Sequence, residues 1–471
     1  MTGSESTGIG RRSLLAAGLL TGAAGLVGCT PTGSEPSGAA AAPVPDVATL
    51  LGLDRFVVAH RGSGDNWPEH TLAAYRAALT AGAQAVEISV RATADGQLVC
   101  HHDADLVRTC GVKARVADTA FADLPPVNAR RWLGPATRIE PISTLAEVLA
   151  ALPPDTLAFV EDKDGTNTGA LLDLLDAQPR ATDRFVWKQW APAEQAARAR
   201  SRGYRTWGYL GNDELDRMSE VAEGFDCLGV QVEASDDDLR AATRFDRPVM
   251  AWAVHTRSQA ARLAALGIAG LMCSNVPYVV GPPRPATIDG FDTGHRSAGD
   301  LPRGAGDLWQ RQPRLVDDAL RFTGESSSSY LLGSLAPLPE RCTISVRLGW
   351  PGQPSGTVGL AFGLPDDADY DPTSSGNAGG AHRLGLNERD RLAVWDHSAG
   401  RTPARVWFPG TTVAPTNGSA MLQLWLDDRT WTARLGDGLE LTFPRLHLGS
   451  YLWAWAERPG SGASISELRI G

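Results

Sequence analysis

At 471 residues, with 43% hydrophobic and 21% charged side chains, the chain is long enough for two packed domains and too apolar to be disordered. Its 44 basic and 54 acidic residues leave a net charge of -10, which argues against a broad electrostatic grip on nucleic acid or anionic lipid. Only Lys113, Lys163 and Lys188 are lysines, so each of them merits attention.

In the N-terminal segment, Arg11 and Arg12 precede a short apolar run from Leu14 to Val27, followed by Gly28 and Cys29. A charged region, an apolar region and a small-residue cleavage site read as an export signal over 1–29, and the paired arginines favour the twin-arginine route. Leu26-Val27-Gly28-Cys29 resembles a bacterial lipobox, which would make Cys29 a lipidated residue anchoring the protein to the outer face of the cytoplasmic membrane. The Gly-, Ser-, Pro- and Ala-rich stretch 30–48 reads as a flexible tether. Five further cysteines remain, and export allows a bridge between Cys100 and Cys110, the alternative being buried thiols.

Between 49 and 281, short apolar runs alternate with Ala- and Arg-rich helical stretches. Eight runs predict strands, beginning near Phe56, Ala85, Leu157, Phe185, Thr206, Leu228, Val249 and Gly270. A helix is expected over Ser258–Leu266, with Gly267 ending it. Eight βα units predict a (β/α)8 barrel of TIM type, in an α/β fold class, with its chemistry at the C-terminal ends of the strands.

The pattern changes at Gly281-Pro282-Pro283-Arg284-Pro285. From 286 to 471, period-two alternation broken by Gly, Pro, Asn and Asp turns predicts an all-β sandwich resembling a concanavalin- or laminin-G-type jelly roll. Eight of the fourteen tryptophans lie here; most, at strand spacing, read as core, and exposed ones would suit a glycan or cell-wall ligand. The run Asp366-Asp367-Ala368-Asp369-Tyr370-Asp371 reads either as a solvated acidic turn or as a Ca2+ loop.

Polar residues at the strand ends of the barrel have the composition of a phosphodiester-cleaving site: an acid, a base, cations for the phosphate oxygens and carboxylates for a metal. His60-Arg61-Gly62 follows the first strand, and His101-His102-Asp103 follows the second. Glu87 and Glu161 fall near the ends of the second and third, and Lys163 shares an inner face with Glu161. Together with Pro68-Glu69-His70-Thr71, Asp95-Gly96, Leu106, Arg108-Thr109 and Glu161-Asp162-Lys163, these motifs resemble the glycerophosphodiester phosphodiesterase family over residues 55–280.

The resemblance implies a barrel enzyme that uses a divalent metal, Mg2+ or Ca2+, and hydrolyses glycerophosphodiesters to glycerol 3-phosphate and an alcohol. It makes His60 and His102 the acid–base pair, Arg61 a phosphate ligand, Glu87 and Glu161 metal ligands, and Lys163 a neighbour of the substrate phosphate. Glu69 reads as orienting His60 or Arg61, Asp103 as a second supporting carboxylate or a strand-end cap, and His101 as facing away. Trp252 walls the glycerol pocket or fills the barrel.

Two departures from the family stand out. Ser89 occupies a position where an aspartate ligand is usual, so it would offer the metal a hydroxyl or leave a place to water, weakening affinity. Ser274-Asn275 stands where Thr-Asp is usual. Lys188, near the end of the fourth strand, would supply positive charge that the weakened metal site lacks, or be a solvated strand-end lysine. These departures leave two rivals to a hydrolase: a silent barrel binding phosphodiesters or wall polymer, and a phospholipid lyase resembling the sphingomyelinase D group.

Overall fold

In a computed structural model of the protein, the described residues are 45–127, 139–281, 295–296, 314–316, 319–324, 327–331, 338–367, 381–388, 392–397, 404–407, 418–438 and 440–471. The export signal with Arg11, Arg12 and Cys29, the tether up to residue 44 and the acidic residues Asp369 and Asp371 lie outside them. Among the described residues no helix is long and apolar enough to cross a membrane.

Nine strands form the first sheet: β1 (Phe56–Ala59), β2 (Ala85–Ala92), β3 (Leu98–Cys100), β4 (Leu157–Asp162), β5 (Phe185–Trp190), β6 (Arg205–Tyr209), β7 (Cys227–Gln231), β8 (Val249–Val254) and β9 (Gly270–Cys273). All but β3 run parallel, in the order β1-β9-β8-β7-β6-β5-β4-β2, and the pairing Val58↔Ala85 closes them into a barrel. Each of the eight strands expected from the sequence is present. The ninth, β3, pairs antiparallel with β2 and opens a long excursion that carries its own small apolar core of Val99, Leu106, Cys110, Val116, Val127 and Ile142.

Strand alternation separates two layers of core. Val57, Val86, Ile88, Val160 and Leu228 face the surrounding helices. Phe56, Val58, Ala85, Leu157, Phe159, Val186, Trp207, Met250 and Met272 fill the axis. The helix Val47–Leu51, capped by the Asp46 side chain, begins before residue 49 and buries Val47 and Leu50 against this axial plug. Helix Arg257–Ala265 has a reciprocal cap in which Thr256 accepts from the Gln259 backbone and Gln259 answers, so it starts one residue ahead of expectation.

Beyond residue 281 the described strands form two seven-stranded antiparallel sheets. Strands Cys342–Gly349 and Ser419–Leu426 alternate buried and half-buried residues, as one face packs inward. Ile344, Val346, Leu422 and Leu424 of one sheet meet Val358, Leu360 and Phe362 of the other in a shared core, giving a sandwich. Strand Thr357–Leu364 is buried along its whole length because its second face meets the barrel: Ala361, Leu364, Trp453 and Trp455 pack with Tyr278.

Trp350, Trp431, Trp453 and Trp455 are core residues, which removes them from any sugar-stacking surface. Asp367, read as part of an acidic turn or Ca2+ loop, is buried against the barrel instead. It accepts from the backbone N–H groups of Arg257 at 2.8 Å and Ser258 at 3.0 Å and from the Tyr278 hydroxyl at 2.7 Å. A carboxylate from the sandwich thus meets the free amides that begin a barrel helix. The bridge allowed between Cys100 and Cys110 is absent: Cys100, Cys110, Cys227, Cys273 and Cys342 are all buried free thiols.

Candidate active site

The parity that sends Phe159, Val186, Trp207 and Met250 to the axis sends Glu161, Lys188, Tyr209 and Trp252 there too, two residues nearer the C-terminal mouth. Glu87 and Ser89 follow Ala85 in the same way. Ser89 is in register with Glu161, and the register Phe159↔Val186, carried two residues on, sets Glu161 beside Lys188. The metal-ligand candidates and the unusual lysine therefore come from three adjacent strands.

At the centre, the Lys188 ammonium donates to Glu87 Oε1 at 2.8 Å and to Glu161 Oε2 at 2.5 Å, with Lys188 only 5% exposed. The solvated alternative for this lysine is thereby excluded. Ser89 donates its hydroxyl to Glu87 Oε1 at 2.9 Å. Glu161 Oε1 accepts from Lys163 Nζ at 3.2 Å and from the Tyr209 hydroxyl at 2.6 Å. Lys188 also lies 5.7 Å and 5.5 Å from the ring centres of Trp207 and Tyr209, within cation–π range. Trp252 packs edge-on to both rings as part of the axial wall.

Burial, the largest single influence, would push the two glutamates up, but Lys188 first, together with the neighbouring cationic and hydrogen-bonding groups, holds Glu87 well below, and Glu161 below, the ordinary carboxylate range. Burial would likewise push Lys188 down, and the two carboxylates reverse that and raise it. Lys163 goes the other way: burial lowers it despite Glu161. Both glutamates are anions and Lys188 is a cation.

Arg61 sits in the turn His60–Gly62 after β1 with φ 54° and ψ 28°, the left-handed region that costs a non-glycine residue of order 1 kcal/mol. Its backbone N–H donates to Glu87 Oε2 at 2.9 Å, a charge-assisted bond that fixes the turn to the ion cluster. Gly62 follows at φ +78°, and a Cβ there would lie 2.9 Å from that of Ala74, so only glycine fits. His60 is held through Nδ1 by the Ser274 hydroxyl at 2.8 Å.

His102 is anchored separately, Nδ1 to Asp103 Oδ1 at 2.7 Å. Asp103 Oδ2 accepts from Arg108 Nε at 2.6 Å, and the Arg108 guanidinium makes a fork onto Glu69, which also accepts from Arg61 Nη1 at 3.3 Å. Glu69 thus orients Arg61 and Arg108, and not His60. Burial would raise Glu69 and Asp103, but Arg108 above all holds Glu69 well below its ordinary range and Asp103 at about 2. His101 turns away, between the Asp103 carbonyl and the Thr109 hydroxyl at 2.9 and 2.8 Å.

Burial, and next the positive charge of Arg61, push both His60 and His102 well below the ordinary histidine value. Two neutral imidazoles, each with one nitrogen occupied by a partner, therefore stand at the mouth beside Arg61 and Lys163. Such a pair can take and give protons near a bound anion.

The divalent metal implied by resemblance does not fit these residues. Among the described residues no group of three or more His, Cys, Asp and Glu side chains is disposed to hold an ion. The two carboxylates that face each other already share an ammonium. The ammonium thus occupies the place between the carboxylates where a dication would have to sit, and would compete with it for the same oxygens.

Sequence reasoning missed Arg108, Tyr209 and Ser274 as parts of the site. Arg108 lay inside a motif but showed no partner, Tyr209 had the inward parity of Trp207, and Ser274 was noticed only as a departure.

Residues 60–169 match the model of the glycerophosphoryl diester phosphodiesterase family. A probable glycerophosphodiester phosphodiesterase of Mycobacterium tuberculosis is 49% identical over 77 residues, covering 16% of this chain and 28% of the relative. A glycerophosphodiester phosphodiesterase of Caldanaerobacter subterraneus is 36% identical over 114 residues, covering 24% and 47%. The chain thus spans less than half the length of either relative. Among solved structures, an Oleispira antarctica phosphodiesterase in complex with the product sn-glycerol-3-phosphate is 19% identical, covering 49% of this chain and 96% of that one, with a TM-score of 0.42. A Thermotoga maritima glycerophosphodiester phosphodiesterase is 20% identical, covering 48% and 97%, with a TM-score of 0.39. The segment 60–169 that matches this family model carries His60, Arg61, Glu69, Glu87, His102, Arg108 and Glu161.

Proposed function

We propose that the barrel hydrolyses glycerophosphodiesters to glycerol 3-phosphate and an alcohol, with His60 and His102 as the acid–base pair. The observation that carries this reading is the pair of separately anchored imidazoles at one barrel mouth, flanked by Arg61 and Lys163. In the reaction, a water oxygen bonds to phosphorus as the bond from phosphorus to the leaving alcohol breaks. One imidazole accepts the water's proton, and the other, protonated as the anionic diester binds, gives its proton to the departing alkoxide. Arg61 and Lys163 face the non-bridging oxygens, where charge accumulates. Trp252 and Tyr209 present apolar ring surface to the glycerol carbons.

A silent binding barrel has no need for two oriented imidazoles, each with its own hydrogen-bonded support. The deciding assay is release of glycerol 3-phosphate from glycerophosphocholine and glycerophosphoglycerol by the full chain, beside a His60→Ala control. If no diester is turned over under any ionic condition, or if the control is equally active, this reading fails. We also propose export and anchoring through Cys29, as its lipobox-like setting supports. Mass analysis of the mature N-terminus would show a lipidated Cys29, and an intact Met1 would refute it.

A further inference from the structure

We propose that Lys188 is the resident cation of this site, taking the place between Glu87 and Glu161 that a dissociable divalent ion would otherwise fill, so that the barrel works without added metal. The inference deepens the phosphodiesterase reading and rests on it for its activity test alone.

The ammonium lies within 2.8 Å of one oxygen on each carboxylate, and each of the three residues is almost wholly buried. Ser89 directs its hydroxyl hydrogen to Glu87 Oε1, the same oxygen that Lys188 holds, so it is already committed to the cluster. The remaining oxygens are also spoken for: Glu87 Oε2 by the Arg61 backbone, and Glu161 Oε1 by Lys163 and Tyr209. All four carboxylate oxygens already accept at least one hydrogen bond, and Glu87 Oε1 and Glu161 Oε1 accept two each, so a hard cation, which needs several oxygens at once, would have to displace these donors.

The arrangement also explains what the lysine does. By sharing its charge between two buried anions, with Lys163 supplying the second positive charge, it lets Glu87 fix the backbone of Arg61, next to His60, and lets Glu161 hold Lys163. Lys188 is thus a positioning residue for both phosphate-facing cations.

The test uses the full chain after dialysis against excess EDTA. Calorimetric titration with Mg2+ and with Ca2+ is expected to give no heat of site binding, and glycerol 3-phosphate release is expected to persist in EDTA without stimulation by either ion. Saturable one-to-one binding of Mg2+ or Ca2+ by the wild type, or loss of turnover in EDTA with recovery on adding an ion, would overturn the proposal. The double variant Lys188→Ala, Ser89→Asp removes the ammonium and adds a third carboxylate. It should bind a divalent ion that the wild type does not, with a rise in melting temperature on adding the ion. If the double variant does not fold, the wild-type titration still decides. If no diester is cleaved, the phosphodiesterase reading fails while the calorimetry continues to report on the cation.

Discussion

The base and the mouth of the barrel axis are built from the same strands with the same parity, yet they hold opposite chemistry. At the base, Phe159, Val186, Trp207 and Met250 pack as a dry plug. One inward step later, Glu161, Lys188, Tyr209 and Trp252 occupy equivalent positions, with Glu87 and Ser89 alongside. The base is held by burial and shape, which carry no titrating group and so do not vary with pH. The mouth is held by charges that are worth something only as a set, because each would be costly alone. A stable floor allows a charged cluster to be placed immediately above it.

Substitutions should separate these two layers. The largest effect is expected on catalysis at the mouth: His60→Ala and His102→Ala should each lower the rate by roughly 10^2- to 10^4-fold with little change in melting temperature. His101→Ala should do the reverse, lowering stability through its lost bonds to Asp103 and Thr109 more than it lowers the rate. Rate measurements on the three variants check the assignment, and a silent His102→Ala would break it.

Next in size, Lys188→Met should cost about 3–5 kcal/mol at neutral pH, since it leaves two buried carboxylates without their shared cation. With the ammonium gone, burial raises the folded-state pKa of both glutamates above the ordinary 4.5. The folded state then favours protonation, so the deficit should shrink as pH falls toward that value. Denaturant melts at several pH values would show this, and a pH-independent deficit would point to lost packing. Phe159→Ala, in the plug, should cost a comparable ~3–5 kcal/mol that does not vary with pH.

Smaller effects are expected farther out. Asp367→Ala removes the acceptor for the Arg257 and Ser258 amides and should cost about 1 kcal/mol, the usual value of a helix cap, with barrel strands unaffected. The smallest is a displacement of a profile. Because burial and Arg61 keep both imidazoles neutral, the acid limb of kcat/KM should lie below 6.5, and the limb in kcat should sit higher once an anionic diester is bound. A limb at or above 6.5 in kcat/KM would contradict the electrostatics of the site.

Much of the barrel was legible in the sequence because its strands are short, apolar and separated by regular helices, and inward parity can be counted along each one. The same counting placed Glu87, Glu161 and Lys163 together. It could not place Lys188 between the glutamates, since that requires the register of three strands and a partner 101 residues away. Arg108 was hidden for the same reason, with Glu69 39 residues distant. Asp367 was misread because an acidic run looks solvated until the helix 109 residues before it is seen to need an acceptor. Local chemistry was readable where the partner was close in sequence, as with His102 and Asp103.

The buried Lys188 has a consequence for how the protein meets its surroundings. A dissociable ion occupies its site only in proportion to its free concentration, and a protein that depends on one gains or loses stability as that concentration changes. A side chain is present at one equivalent in every molecule from the moment of synthesis. Sequestration of divalent ions by phosphate, polyanions or competing proteins would leave the charge balance at the barrel mouth unaltered.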